Sequence, residues 1–394
     1  MHFRPYLQLT PFPKQGQVTF LLDIATCPFF RFMFRYGFIF GFIFLLLSAG
    51  YVSWHLWRIT PGGWGFKMTV SALFILWMGL AIGGFFLTEK VSVQAAKFIY
   101  IVGNTWWVVI LYLLMIFLLG DLAILCRILP KGFLNSNAAV LAGIAIVITA
   151  LLVTGRIHYA HKYREILTIT TEKPLEKPLT VVLASDLHLG YHNSRQEFSR
   201  WVDLINAEQP DLVLFGGDIV DRSVRPLMEE EYAAEFRRLS APVWTVPGNH
   251  EYYSDLPGAG QFFNDAGISL LRDTSVHCKG VTIIGRDDRT NPERKPLHDL
   301  LPPTDSSFTI LLDHQPYHLE EAEKAAIDFQ FSGHTHRGQF WPLSWVTDAL
   351  YEKSWGYLRK GQTQFYVSSG LGIWGPRIRL GTRSEYLVLK IQPD

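Results

Sequence analysis

FSGHTHRGQ, residues 331–339, sets His334 and His336 one residue apart behind Gly333, directly after the apolar alternation Ile327, Phe329, Phe331. Alternation with period two reads as a strand, so the two imidazoles fall in the loop at its carboxyl end. Such a pair is either a loop with two chance histidines or a pair of metal ligands. The rest of the chain decides between them, because ligands that share an ion must be delivered to the same sheet edge by other strands.

Working outward, four more apolar runs end in the same kind of residue. LASDLHLG carries Asp186 and His188, LFGGDIVDR carries Asp218, Asp221 and Arg222, VPGNHEYY carries Asn249 and His250, and LLDHQP carries His314. A single D-x-H tripeptide or exposed histidine is ordinarily a cap or a solvated loop residue. G-D-x-x-D and G-N-H say more, since glycine removes a side chain where the backbone must turn and approach another group closely. All five together, in order and each after an apolar run, point to one convergent site.

The runs alternate with helical patterns. Strand-like segments at 179–185, 211–217 and 242–248 are separated by helices over about 196–208 and 228–239, with further strands at 281–285, 308–313, 327–333, 364–370 and 385–391. Strands alternating with helices indicate an α/β layer architecture.

The first part of the chain has a different composition. Residues 1–157 hold long stretches almost free of charge, while 158–394 carry eleven of the thirteen histidines. Four runs, Tyr36–Trp57, Met68–Leu87, Ile101–Leu119 and Ala138–Val153, approach or exceed the roughly 20 residues that a spanning helix needs. Their interiors contain no Asp, Glu, Lys or Arg, which argues against an ion pathway or a transporter. Residues 1–35 form an N-terminal arm with an interfacial candidate, 36–157 a four-helix membrane domain, 158–178 a juxtamembrane linker and 179–394 the domain that carries the convergent site. No cleavable signal peptide is indicated. Arg31, Arg35, Lys90, Lys97, Arg156, Lys162 and Arg164 flank the spans on one side, and Arg58, Lys67, Arg127 and Lys131 on the other. That excess predicts a cytoplasmic catalytic domain, on the inner membrane if the source is bacterial. The formal net charge of +1 gives no strongly basic surface, so no nucleic-acid partner is expected. Cys27, Cys126 and Cys278 show no disulfide or zinc spacing.

The ordered set D-x-H, G-D-x-x-D, G-N-H-E, a lone His and G-H-x-H resembles the calcineurin-like metallophosphoesterase superfamily over residues 175–394. GRDDR (285–289), HQP (314–316) and SSGLG (368–372) leading to PRIRLG resemble its membrane-associated branch, which often reads G-H-T-H-G-G-Q where this chain has Arg337. The resemblance implies a four-layer α/β/β/α sandwich and two divalent metal ions. Asp186, His188 and His336 would bind the first, Asn249, His314 and His334 the second, with Asp218 bridging. Mixed N and O donors suit Mn, Fe or Zn. A metal-bridging hydroxide would attack, His250 would protonate the leaving oxygen or stabilise the charge of the transition state, Asp221 would orient His250, and Arg222 is a candidate for a phosphate contact or for a surface ion pair. The expected activity is therefore membrane-anchored hydrolysis of a phosphodiester or pyrophosphate. FWPLSWVTDALYEKSWGY, with Trp341, Trp345, Leu350, Tyr351 and Trp355, makes a lipid-linked substrate such as UDP-2,3-diacylglucosamine a candidate. The rivals are a general or nucleotide phosphodiesterase and a non-catalytic membrane receptor or scaffold that retains the fold.

Overall fold

The computed structural model describes residues 28–302 and 306–394, with side chains from residue 39. Of the expected arm, residues 28–35 open the first helix; the remainder, and most of the interfacial candidate, lie outside the described residues.

Four helices, α1 (Pro28–Ile59), α2 (Trp64–Leu87), α3 (Val93–Leu125) and α4 (Ala138–Ala160), are long and apolar enough to cross a membrane. Uninterrupted apolar sequence lets each backbone satisfy its own hydrogen bonds. Pro61, Gly62 and Gly63 follow α1, where a proline ring and flexible glycines cannot continue it. Both α1 and α3 run further than the apolar stretches predict. Helix α3 takes in Lys97 and Asp121, which lie beyond the two ends of the apolar run Ile101–Leu119.

The chain divides into two compact units. One takes the described residues up to Ser71 together with Leu113–Ala138. Within it Tyr51 donates to Asp121 Oδ2 (2.7 Å), His55 Nε2 lies 3.0 Å from the same oxygen, and Arg58 donates to Asn135. The other unit takes Ala72–Tyr112 and Ala139–Asp394. It therefore joins parts of α2 and α3 and nearly all of α4 to the α/β domain. Inside it α2 and α3 cross closely at Gly103, where an added Cβ would meet the Leu80 carbonyl at 2.9 Å.

The strands are β1 (Lys162–Thr171), β2 (Leu179–Ala184), β3 (Leu212–Phe215), β4 (Val243–Thr245), β5 (Ile268–Leu270), β6 (Thr274–Cys278), β7 (Val281–Gly285), β8 (Phe308–Leu312), β9 (Phe329–Ser332), β10 (Gly356–Lys360), β11 (Thr363–Val367) and β12 (Ser384–Pro393). They form two six-stranded sheets, in the orders β1-β12-β2-β3-β4-β5 and β10-β11-β9-β8-β7-β6. In the first, β2 to β5 run parallel and β12 pairs antiparallel with β2; in the second, β7, β8, β9 and β11 run parallel.

Period-two alternation assigns each face. Val181, Leu183, Leu212 and Leu214 point between the sheets, where they meet Ile283, Ile310, Phe329 and Phe331. Val182, Ala184, Val213 and Phe215 point outward onto α5 (Arg195–Ala207) and α6 (Leu256–Ala266). Outside the second sheet, Ile284 and Leu311 pack on Leu319 and Ala322 of a short helix. The order helix, sheet, sheet, helix is the four-layer arrangement expected from the sequence.

Two expectations are corrected. The helix expected over 228–239 is broken into Arg225–Glu229 and Tyr232–Phe236. The linker expected over 158–178 is ordered structure for most of its length. Helix α4 runs to Ala160, and β1 pairs parallel with β12 over ten residues, from Lys162 opposite Ser384 to Thr171 opposite Pro393. YREILTIT has the alternation of a strand, and the buried Ile169 shows which side faces the core. The charged residues on its other face made it read as a linker.

Candidate metal centre

The carboxyl ends of β2, β3, β4, β8 and β9 meet at one edge of the sandwich, and each delivers the residues its motif promised. Asp186, His188, Asp218, Asn249, His314 and His336 are all buried, and His334 is partly so. Asp186, His188, Asp218, His334 and His336 have φ of 56°, 43°, 53°, 71° and 46°. Left-handed backbone at non-glycine residues is costly and concentrates at functional sites. Here each such residue turns its side chain back across the strand ends.

Glycines make the approach possible. A Cβ on Gly333 would land on Ser185 Oγ and Asp186 Oδ2, and one on Gly248 would land on Asp218 Oδ1. The first contact explains the glycine before the His pair: the His334 amide must come within 3.0 Å of Asp186 Oδ1.

Two ligand sets result. In one, His188 Nε2 and His336 Nε2 stand 3.1 Å apart, and Asp186 Oδ1 lies 3.4 Å from His336 Nε2 and 3.9 Å from His188 Nε2. In the other, His314 Nε2 is 3.1 Å from Asp218 Oδ2, and a His334 ring nitrogen is 2.8 Å from Asn249 Oδ1. Asp218 Oδ2 also lies 3.7 Å from His188 Nε2, so this one carboxylate faces both sets. Ligand atoms sharing a cation through bonds of about 2.1 Å stand roughly 3.0–3.4 Å apart at octahedral to tetrahedral angles. Three of these six separations fall in that range, and His314 Nε2 is a buried ring nitrogen with no hydrogen-bond partner. The residues fit a pair of divalent cations.

The electrostatics agree. Burial opposes charge on Asp186 and Asp218, yet the rings of His336 and His188 around the first, and of His314 and His250 around the second, hold both carboxyls below the usual range. Burial likewise favours a neutral His188, but Asp186 and Asp221 push it up to about 10. His334 is drawn down to about 4 by burial and then by His314. The two carboxylates are thus held ionised by the imidazoles around them.

The surrounding contacts orient the ligands. His314 Nδ1 donates to the Gly216 carbonyl at 2.7 Å, which leaves Nε2 for a cation. Glu251 accepts the amides of Asp218, Val220 and Gly248 at 2.7–3.0 Å and so ties two strand-end loops together. His250 is partly exposed, and its amide donates to Asp218 Oδ1 at 2.9 Å.

Two expected roles change. Asp221 does hold His250, but chiefly through its backbone carbonyl, 2.5 Å from Nδ1; its carboxylate lies 3.7 Å from that ring and 3.2 Å from His188 Nδ1. Arg222 points away from the site: it donates to the Phe85 carbonyl on α2 and lies over the Phe85 ring, so it is no phosphate contact. Three residues near the site have no role assigned from the sequence, in which His192 matches no motif position and reads as an ordinary surface or core histidine. His192 is buried against Asp221, Arg379 is buried beneath the loop after β11, and Tyr100 reaches Asp221 from α3. A signal existed for Tyr100, because Lys97, Tyr100 and Asn104 recur at helical spacing on one face of an apolar run.

Comparison with known proteins places this geometry. The pattern of the calcineurin-like phosphoesterase family matches residues 179–338. A Helicobacter pylori protein described as an uncharacterized metallophosphoesterase is 32% identical over 229 residues, covering 56% of this chain and 61% of that protein. The chain thus spans about three fifths of that relative's length. A Danio rerio protein described as a transmembrane protein with metallophosphoesterase domain is 30% identical over 319 residues, covering 72% of this chain and 71% of its own. An Aquifex aeolicus metallophosphoesterase is 29% identical over 238 residues, 57% of this chain and 90% of that one.

Proposed function

This chain belongs to the calcineurin-like phosphoesterase family, in its membrane-associated branch, and from that premise we propose that it is a membrane-anchored, metal-dependent hydrolase of a phosphodiester or pyrophosphate bond. The observation that carries the reading is Asp218, one carboxylate facing two ligand sets, 3.1 Å from His314 Nε2 and 3.7 Å from His188 Nε2. Asp186, His188 and His336 would hold one ion, Asn249, His314 and His334 the other, and Asp218 would be shared between them. Such a pair of Mn, Fe or Zn ions supplies Lewis-acid polarisation of the phosphoryl oxygens and a water ionised near neutral pH. The protein supplies the rest. Its burial excludes competing water, and its imidazoles and neutral Asn249 leave the pair electrophilic. His250 donates Nδ1–H to the Asp221 carbonyl, which leaves Nε2 as the ring nitrogen for the leaving oxygen; it would donate a proton there as the doubly protonated imidazolium.

A substrate held at the bilayer fits the surroundings best. Past the His334–His336 loop, helix α7 (Leu343–Leu350) and its approach expose Trp341, Leu343, Trp345, Val346 and Leu350. Tyr112 of α3 donates to the Trp341 carbonyl at 2.8 Å, so this apolar surface lies against a spanning helix. Aromatic residues of this kind settle at membrane interfaces. A lipid-linked phosphate ester is therefore the substrate class, and the Lys and Arg asymmetry of the flanks supports a cytoplasmic site.

The test is manganese-dependent hydrolysis by the full chain in nanodiscs. The substrates are bis(p-nitrophenyl) phosphate, the monoester p-nitrophenyl phosphate and a lipid pyrophosphate in the same bilayer, with Asp218→Asn as control. Turnover lost in the control, and greatest on the lipid, is expected. Greater turnover on the soluble diester would move the substrate to general or nucleotide diesters. Metal loading without turnover on any of them would leave a receptor or scaffold.

A further inference from the structure

His188 holds its place through a chain of contacts that ends inside a membrane-spanning helix. Its Nε2 faces His336 Nε2 at 3.1 Å and Asp218 Oδ2 at 3.7 Å, so this is the nitrogen that meets a cation. Nδ1 must then carry the proton, and its neighbour is Asp221 Oδ1 at 3.2 Å. The other oxygen of that carboxylate, Oδ2, accepts the hydroxyl of Tyr100 at 2.6 Å. His192 Nδ1, 3.7 Å from Oδ2, is too far for a hydrogen bond. The Tyr100 ring lies over the His192 ring with centroids 5.2 Å apart, which fixes where its hydroxyl points.

Phenylalanine would fill the same space on α3 without burying a hydroxyl. A buried hydroxyl is retained at a cost unless it is bonded, and this one is bonded to a carboxylate that serves the site twice. The Asp221 carboxylate stands 3.2 Å from His188 Nδ1, and its carbonyl takes the proton of His250 Nδ1. The same helix face is polar elsewhere: Lys97 Nζ lies 2.5 Å from Glu230, and Asn104 donates to the Tyr100 carbonyl at 2.7 Å.

We propose that Tyr100 is a positioning residue of the metal centre, holding His188 through Asp221, so that α3 completes the site it also anchors. This rests on the metallophosphoesterase reading above, because a positioning role presumes ions on His188. Metal-bound histidines routinely give their other ring N–H to a carboxylate, and loss of such partners typically costs about 10- to 100-fold in metal affinity or activity.

The experiment compares the full chain in nanodiscs with Tyr100→Phe and Lys97→Ala, the second removing a contact from the same helix face without touching Asp221. Cobalt(II) is titrated and read by its visible absorption band, and hydrolysis of bis(p-nitrophenyl) phosphate is followed separately. Tyr100→Phe should weaken cobalt affinity by about 10- to 100-fold and alter the band, with melting temperature close to wild type. Lys97→Ala should bind as wild type does. The inference is overturned if Tyr100→Phe keeps wild-type affinity and spectrum, or if both variants weaken equally, which would mean general loosening of the helix. Wild type that binds cobalt but hydrolyses nothing counts against the enzyme reading alone, and the cobalt comparison still decides the role of Tyr100.

Discussion

Arg379→Met isolates a buried cation that, among the described residues, forms no ion pair with a carboxylate. Arg379 is fully buried, and its Nη2 donates to the carbonyls of Ser369 at 2.6 Å, Gly370 at 3.2 Å and Gly372 at 2.8 Å. Nη1 reaches the His336 carbonyl at 3.4 Å. The guanidinium thus clamps the loop after β11 to the loop bearing a metal ligand, and Gly372 in turn donates to the Asp186 carbonyl at 3.0 Å. Methionine fills similar space and donates nothing, so three close carbonyls lose their donor at about 1–3 kcal/mol each. The low end applies, because the substitution also relieves the burial that draws the Arg379 pKa down to about 10. The expected loss is then about 3 kcal/mol. For a domain of this size that corresponds to a melting temperature lower by about 6–12 °C. Tryptophan fluorescence of the full chain during heating measures it, with Arg379→Lys expected between the two because an ammonium restores part of the donor set. A methionine variant melting within about 2 °C of wild type would refute the clamp.

Asp218→Asn should weaken binding at both ion sites, by about a hundredfold or more, in a titration calorimetry experiment; loss of only one site would show that the carboxylate does not bridge. Gly333→Ala, whose methyl would fall on Ser185 and Asp186, should cost about 1–3 kcal/mol and reduce metal affinity, read by melting and cobalt titration; an unperturbed variant would mean that the loop can move aside. Removing metal with a chelator should lower the melting temperature, because ions at 100 times their Kd contribute about 2.7 kcal/mol, and manganese should restore it. Trp345→Glu should reduce turnover of a lipid-linked ester in bilayers and leave bis(p-nitrophenyl) phosphate unchanged; equal loss on both would place the tryptophan in the fold rather than at the lipid surface.

The five strand ends were legible because each required two signals at once, an apolar run and a ligand residue beyond it. His334, His336, Asp218 and Asn249 follow that rule, and Gly333 and Gly248 were readable from the close approach they permit. The membrane helices were legible from length, although their ends were not, since Asp121 interrupts the apolar pattern without interrupting the helix. Strand β1 was missed because an edge strand with one wet face carries charge and resembles a linker. Arg222 and Asp221 were placed in the right loop with the wrong contacts, because sequence spacing gives a residue's position and not the direction of its side chain. Tyr100 and Arg379 act across long separations in the chain, and single-sequence patterning carries no term for such pairs.

The pairing of β1 with β12 also imposes an order on synthesis. Strand β1 follows the last spanning helix directly, yet its partner is the final strand of the chain, which lies between β1 and β2. A ribosome adding about 5–20 residues per second takes on the order of 10–45 s to pass from residue 162 to residue 384. Throughout that interval the first sheet lacks the strand that joins β1 to β2, and both of their facing edges stand open. Premature termination before residue 384 would leave β1 permanently unpaired at the membrane surface, an edge that quality-control proteases and chaperones can recognise. The α/β domain thus cannot complete its first sheet until residues 384–393 have been made.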